Sequence, residues 1–204
     1  MKKQKWFYSE KVREHFFHPK NIFRSKKEIE RFKADGVGMV GNPACGDIMK
    51  MWIKVDKKKQ TIKECKYQTF GCASAIATTS VLSEMVKGMK LDDAFRITPK
   101  DIVEKLGGLP KLKYHCSVLG DRALREAIND YYRKTNQLEK IVTDSPIVDE
   151  TLKITERDIE NAVIEGAKTL EEVQEKTKVG ISNKKVIPRV KELIKKFKEK
   201  HGIK

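Results

Sequence analysis

Alternating apolar and polar side chains predict two neighbouring strands in the first half of the chain. Residues 49, 51, 53 and 55 are Met, Met, Ile and Val, whereas residues 50, 52 and 54 are Lys, Trp and Lys, so the first strand has one core face and one polar face. The polar stretch 56–60 is a natural hairpin turn before a second strand at about 61–70. A helix of small residues follows Gly71-Cys72, and Gly88 can end it in the left-handed conformation. We therefore predict a strand–strand–helix unit.

Capping residues and helical spacing predict further helices before residue 140. Ser9 can cap a first short helix, and Thr98 can cap another that begins with proline. Residues 25–35 are highly charged and are expected to form a surface insertion. After an extended stretch at 109–115, helical spacing begins at Ser117, which would place Cys116 just before a helix.

Beyond a linker at 143–146 the pattern is helical, without a convincing strand pair. Thr155 and Thr169 are each followed three residues later by an acid, which is typical of a helix start. The last helix has an apolar face formed by Ile187, Val190, Leu193, Ile194 and Phe197. We predict an α+β protein with a first domain over 1–140 and a small all-helical domain over 147–204.

Composition excludes a membrane or disordered protein. The 204 residues are 39% hydrophobic and 36% charged, and no apolar run approaches the roughly 20 residues of a membrane span. The N-terminal residues lack the apolar core of a signal peptide, which favours the cytoplasm.

The net charge of +15 raises the question of nucleic-acid binding. Of the 44 basic residues 35 are lysine, and they lie in blocks: residues 147–175 carry three bases against nine acids, and residues 186–204 seven against two. The chain shows no arginine-rich stripe and no aromatic residues interleaved along paired strands, so we regard specific nucleic-acid binding as the weaker interpretation. A solvated lysine-rich surface or a docking face for an acidic protein fits equally well.

Three of the four cysteines, Cys45, Cys72 and Cys116, fall in predicted loops at the ends of elements. The helix that follows Cys72 or Cys116 would lower the pKa of its thiol, as expected of a nucleophile or a metal ligand. Asp47 and His115 accompany them as further candidate ligands. Because no pair has the spacing of a zinc knuckle, a metal site, a single reactive thiol and unrelated exposed cysteines all remain open.

Other conspicuous residues have ordinary interpretations. The fourth cysteine, Cys65, lies inside a strand and is expected to be a small buried hydrophobic residue. His15 and His18 are expected at the surface or in packing, and His201 in a frayed terminus.

The contexts of these residues carry a family resemblance. Tyr8-Ser-Glu-Lys-Val, Gly38-Met-Val-Gly-Asn-Pro-Ala-Cys-Gly-Asp47, Thr69-Phe-Gly-Cys-Ala-Ser-Ala-Ile-Ala77 and His115-Cys-Ser together resemble the IscU/NifU-type iron–sulfur cluster assembly scaffold, from about Tyr8 to Tyr132. The resemblance implies a three-stranded antiparallel sheet packed on helices. It also implies that the candidate ligands cluster at one exposed end, namely Cys45, Asp47, Cys72, His115 and Cys116.

The resemblance implies a scaffold or carrier rather than an enzyme, on which a transient [2Fe–2S] cluster is assembled de novo and then transferred. Its implied partners are a cysteine desulfurase, an iron or electron donor, and apo iron–sulfur proteins, and a homodimer remains open. Cys116 is the implied sulfur acceptor. Asp47 or His115, as harder ligands than thiolate, would hold the cluster loosely enough for release.

The alternative is a persulfide sulfur-relay or zinc-binding protein that uses the same cysteines. Zinc can occupy the same ligands, so zinc binding is compatible with a scaffold.

Two features depart from the family pattern. A dedicated chaperone recognises Leu-Pro-Pro-Val-Lys in some members, whereas this chain has Leu109-Pro-Lys-Leu-Lys113, which puts that recognition in doubt. The tail resembles the small bacterioferritin-associated-ferredoxin-like domain of longer NifU proteins, whose four cysteines bind a permanent cluster. The matching positions hold Asp149, Thr151, Asn183 and Val186, so the tail cannot bind such a cluster by itself and is expected to have a packing or docking role.

Overall fold

The computed structural model describes residues 8–42, 47–110 and 113–203, without the side chains of Asn42 and His115. The chain divides into two compact units, Met1–Tyr131 and Tyr132–Lys204. In the first unit the helices are α1 (Glu10–Phe17), α2 (Lys26–Phe32), α3 (Ala73–Met85), α4 (Leu91–Phe95), α5 (Pro99–Lys105) and most of α6 (Tyr114–Lys134), and the strands are β1 (Gly36–Asn42), β2 (Asp47–Asp56) and β3 (Thr61–Phe70).

The three strands form one antiparallel sheet, as the family resemblance implied, and their order in the sheet is β1-β2-β3. Val40 of β1 lies opposite Met49, and Met51 lies opposite Tyr67 of β3. Met49 and Met51 are completely buried, which confirms the predicted core face. The first predicted strand is longer than the alternation indicated, because β2 already begins at Asp47.

The opposite face of the sheet is not simply polar, because the 25–35 segment covers part of it. Ser25 caps α2, and the ring of Phe32 meets the ring of Phe23 with a centroid separation of 5.3 Å. Phe23 in turn meets Trp52 at 5.2 Å, and Trp52 is only 6% exposed. The charged side chains of this segment are mostly exposed, as predicted, but its apolar residues bury the tryptophan that alternation placed on the polar side.

Two glycines of β1 allow α6 to lie directly against the sheet. A Cβ atom on Gly36 would come within 2.2 Å of the Ala127 carbonyl oxygen, and one on Gly38 within 2.1 Å of the Ala123 carbonyl oxygen. Neither glycine has a positive φ, so the requirement is for space rather than for an unusual backbone conformation.

The helix caps follow the sequence closely. Ser9 accepts the N–H of Val12, and Thr98 and Asp101 form a reciprocal capping box. The extended stretch predicted up to His115 is wrong at its end, since α6 already begins at Tyr114. Gly88 has the predicted left-handed conformation, with φ +83°, but lies beyond the end of α3 at Met85.

The second unit contains α7 (Glu156–Ile164), α8 (Leu170–Thr177) and α9 (Ile187–His201), and both predicted threonine capping boxes are present. Its helical character was predicted, but a short antiparallel pair was missed, β4 (Ile147–Asp149) with β5 (Ile154–Thr155). His201 does not lie in a frayed end, because its Nε2 is 2.9 Å from Glu160 Oε1. None of the helices in the described ranges is long and apolar enough to cross a membrane.

Candidate metal centre

Three elements of the first unit bring candidate ligands together at one end of the sheet. Asp47 is the first residue of β2, Cys72 is the N-cap of α3, and Cys116 lies in the first turn of α6. Cys72 has extended backbone angles, φ −73° and ψ 171°, and its side chain makes no capping hydrogen bond. Its sulfur therefore remains available to other partners.

One ligand atom from each of Asp47, Cys72 and Cys116 lies within 4.8 Å of the other two. The two sulfur atoms are 3.5 Å apart. Cys116 is fully buried and Asp47 is 6% exposed, whereas Cys72 is half-buried. Solvent therefore reaches this cluster mainly at Cys72.

The Asp47 carboxylate shows a feature expected of a ligand. Its Oδ2 atom is buried and has no hydrogen-bond partner among the described residues. A buried carboxylate oxygen without a partner carries a desolvation cost that a bound cation would offset. Gly71 lies against the same carboxylate, since a Cβ there would be 3.0 Å from Asp47 Oδ1 and 2.9 Å from Ala75 Cβ.

The electrostatics of Cys116 differ from the sequence-based prediction. The residue lies inside the helix rather than before it, and burial raises the pKa of its thiol far above the ordinary value. Its hydrogen bond and proximity to Cys72, and the charge of Asp47, raise that pKa further, while Lys113 opposes them. The expectation that the helix dipole lowers the Cys116 pKa is therefore wrong, because burial, Cys72 and Asp47 outweigh the dipole.

Hydrogen bonds of neighbouring residues support this arrangement, and one of these residues, Thr78, was not singled out by the sequence. The Thr78 hydroxyl donates to the Ser74 carbonyl oxygen and lies 3.4 Å from the Cys116 carbonyl oxygen. Ser74 also donates to the Tyr8 hydroxyl at 3.2 Å, which joins the N-terminal segment to the helix turn that follows Cys72. The serine and threonine residues among the small residues of α3 were the only sequence feature that pointed to these hydrogen bonds. Which backbone groups they contact is shown only by the fold.

The other predicted residues divide into two groups. Cys45 and the side chain of His115 lie outside the described residues, so their roles remain predictions. Residues 111 and 112 also lie outside them, so the chaperone prediction at Leu109–Lys113 is untested. Cys65 is 1% exposed on β3, and burial raises the pKa of its thiol to about 12, which confirms it as a buried core residue.

The donor set restricts the chemistry of this centre. Two thiols favour soft or borderline metals such as iron and zinc, while the carboxylate is a harder ligand. A family model described as the NifU-like N-terminal domain matches residues 7–138, a range that includes all the candidate ligands. The chain belongs to the NifU-like N-terminal domain family. The three candidate ligands that the structure brings together are thus part of the NifU-like domain.

Several curated proteins are similar to this NifU-like chain. Iron-sulfur cluster assembly scaffold protein IscU 1 of Archaeoglobus fulgidus is 51% identical over 134 residues, or 66% of this chain and 82% of that protein. The scaffold protein IscU of Aquifex aeolicus is 47% identical over 133 residues, or 65% and 81% of the two chains.

Nitrogen fixation protein NifU of Nostoc sp. is 37% identical over 195 residues, which cover 95% of this chain and 65% of that protein. That similarity continues beyond residue 138 into the second unit of the NifU-like chain.

Proposed function

We propose that this protein is a non-enzymatic scaffold on which a transient [2Fe–2S] cluster is assembled and from which the cluster passes to apo-proteins. Cys45, Cys72 and Cys116 supply the thiolates, and Asp47 and His115 are the candidates for the fourth ligand and for release. A cysteine desulfurase supplies sulfur, and an iron or electron donor completes the set of partners. The cluster is the cargo of this protein and not a permanent cofactor.

The observation that carries the proposal is the convergence of Asp47, Cys72 and Cys116 within 4.8 Å. Strands β2 and β3 lie between Asp47 and Cys72 in sequence, and helices α3 to α5 lie between Cys72 and Cys116, so the proximity of the three residues is a product of the fold. The unpartnered Asp47 Oδ2 supports occupation by a cation. Membership of the NifU-like family, and relatives named as iron–sulfur cluster assembly scaffolds, support iron as that cation.

Sulfur delivery requires a defined exchange of bonds and electrons. A thiolate of the scaffold attacks the terminal sulfur of the desulfurase persulfide, a new S–S bond forms, and the thiolate of the desulfurase leaves. Each transferred sulfur atom must then gain two electrons to become sulfide. Oxidation of ferrous iron supplies part of these electrons, and the electron donor supplies the rest.

The family resemblance assigns sulfur acceptance to Cys116, but Cys72 is the more exposed of the two described thiols. Persulfide mapping by mass spectrometry distinguishes them. Acceptance at Cys116 requires that docking of the donor opens the start of α6, because this cysteine is fully buried in the free chain.

The decisive experiment is anaerobic reconstitution with iron, cysteine and a cysteine desulfurase, followed by visible absorption and circular dichroism. We expect a labile [2Fe–2S] spectrum that is lost in Cys72→Ala and kept in Cys65→Ala, since Cys65 is buried opposite Ile53, six residues along β2 from Asp47. Asp47→Ala should give a longer-lived cluster. Asp56→Ala, at the other end of the same strand, is the matched control and should leave the lifetime unchanged.

Two outcomes would contradict the proposal. If no coloured cluster forms while Cys116 acquires persulfide, the protein is a sulfur relay. If the site binds zinc but accepts neither iron nor sulfur, it is a zinc-binding protein that uses the same cysteines.

For the second unit we propose a degenerate ferredoxin-like domain without a cluster. Asp149 stands at one of the positions that would hold a cysteine in such a domain, and its buried carboxylate accepts the N–H groups of Gly180 and Thr151 at 2.8 and 3.0 Å. These hydrogen bonds support the view that a carboxylate stabilises these loops in this chain.

A further inference from the structure

The second unit contains a cleft along α9 that the proposed function does not use. We call it the α9 cleft. It has a volume of about 570 Å³, and its lining includes Lys168, Lys191, Ile194, Lys195, Lys198 and Ile203. Two of its lysines, Lys191 and Lys195, are one helical turn apart on α9, whereas Lys168 comes from the segment between α7 and α8. Two separate parts of the unit therefore direct positive charge at the same place.

These ammonium groups differ from those basic groups of the unit that are paired with a glutamate. Lys176, Arg189 and Lys200 each form an ion pair with a glutamate, at 3.0, 2.8 and 2.7 Å. Among the residues that the structure describes, the four lysines of the α9 cleft form no such pair. Glu199 is the only acid among the described residues of its lining. The cleft therefore has an excess of positive charge that a partner could neutralise.

The floor of the cleft is apolar. Ile194 is 6% exposed and belongs to the core of the unit, and Ile203 packs against that core. A surface with lysines at the rim and isoleucine at the base is complementary to a peptide that has acidic residues on either side of an apolar residue. The described residues of the lining include neither arginine nor an aromatic ring, which are the usual stacking partners of nucleic-acid bases.

We propose that the α9 cleft binds an acidic polypeptide segment that inserts an apolar side chain between the lysines. This interaction goes beyond the proposed function, and it does not depend on the cysteine centre. It gives the second unit a recognition role of its own, in which a partner is held through α9 while the first unit carries out its chemistry.

The test uses the full chain and three fluorescein-labelled probes, followed by fluorescence anisotropy. The first probe is a short peptide of Glu and Asp with two Leu residues on one side, the second has Ser in place of Leu, and the third is an oligothymidylate of equal charge. We expect the leucine peptide to bind at least about tenfold more tightly than either other probe, a difference of about 1.4 kcal/mol.

A charge-reversal pair locates the binding. Lys191→Glu with Lys195→Glu should weaken binding of the leucine peptide at least about tenfold. The matched control, Lys184→Glu with Lys185→Glu, makes the same charge change at exposed positions of the same unit outside the cleft, and should weaken it less than about threefold.

Four results would overturn the proposal. Equal losses in both double variants would mean that only the net charge of the chain attracts the probe. Equal affinity for the serine peptide would exclude insertion of an apolar side chain. Tighter binding of the oligothymidylate, lost on reversal of Lys191 and Lys195, would make the cleft a nucleic-acid site. Absence of binding at millimolar peptide would refute it as well.

Discussion

Gly38→Ala tests the contact between β1 and α6, on which the position of Cys116 depends. The added methyl carbon would lie 2.1 Å from the Ala123 carbonyl oxygen and 2.3 Å from the Ala127 backbone nitrogen. Both neighbours are backbone atoms of a long helix, so neither can relieve the clash by a change of rotamer as a side chain can. The strand and the helix must move apart.

The size of that movement follows from the contact distances. Ordinary contact with a Cβ atom begins near 3.4 Å, so the shortfall at Gly38 is about 1.3 Å. A gap of 0.5–1 Å already forfeits about a quarter to a half of the dispersion energy of the atoms that line it. Overpacking of a core costs about 1–3 kcal/mol when side chains can adjust, and more when they cannot. We expect Gly38→Ala to lower the free energy of unfolding of the first unit by about 3 kcal/mol or more.

Urea unfolding followed by tryptophan fluorescence measures the stability of the first unit, because both tryptophans precede residue 132. Gly120→Ala in α6 is the matched control. Its methyl group would first meet the end of the Leu82 side chain, at 3.3 Å, and alanine favours helix by about 1 kcal/mol over glycine. We expect Gly120→Ala to change stability by no more than about 1 kcal/mol. A loss below about 1 kcal/mol in Gly38→Ala would refute the close contact between β1 and α6.

Three further predictions concern other contacts. Burial lowers the pKa of His15 below its ordinary value of 6.5, so the folded state binds fewer protons than the unfolded state. The stability of the first unit should therefore fall as the pH decreases below about 6.5. In a plot of the unfolding midpoint against pH, His15→Asn should remove the contribution of His15 to the slope. Asp149→Ala should expose the Gly180 amide to exchange about ten- to a hundredfold faster, because a hydrogen bond to a charged group contributes about 1.5–3 kcal/mol. Gly71→Ala should displace Asp47 and weaken zinc binding by about tenfold, measured by competition with a chelator.

Each of these has an outcome that would contradict it. An unchanged pH slope in His15→Asn would assign the titration to another group. Unchanged exchange at Gly180 would mean that Asp149 does not stabilise that loop, and Thr151→Ala, which keeps the backbone N–H donor, should have no effect. Full zinc affinity in Gly71→Ala would remove Asp47 from the ligand set.

Local structure in this chain followed from local sequence. Helices begin after Thr98, Thr155 and Thr169 because the threonine hydroxyl accepts a backbone N–H of the first turn that would otherwise be unpaired. The acid three residues later in turn accepts the backbone N–H of the threonine. The alternation around Met49 and Met51 identified a core face because side chains of a strand point alternately to its two sides. The position of Cys65 within such a strand was likewise enough to predict its burial.

The properties that decide the chemistry came from tertiary contacts. No local pattern indicates that Cys116 lies 3.5 Å from Cys72, or that burial reverses the expected direction of its pKa. The sequence by itself determined which residues could be ligands and which elements carry them. The tertiary structure alone decided which of them meet, how far solvent reaches them, and that Trp52 is covered by α2, because these depend on packing between segments that are distant along the chain.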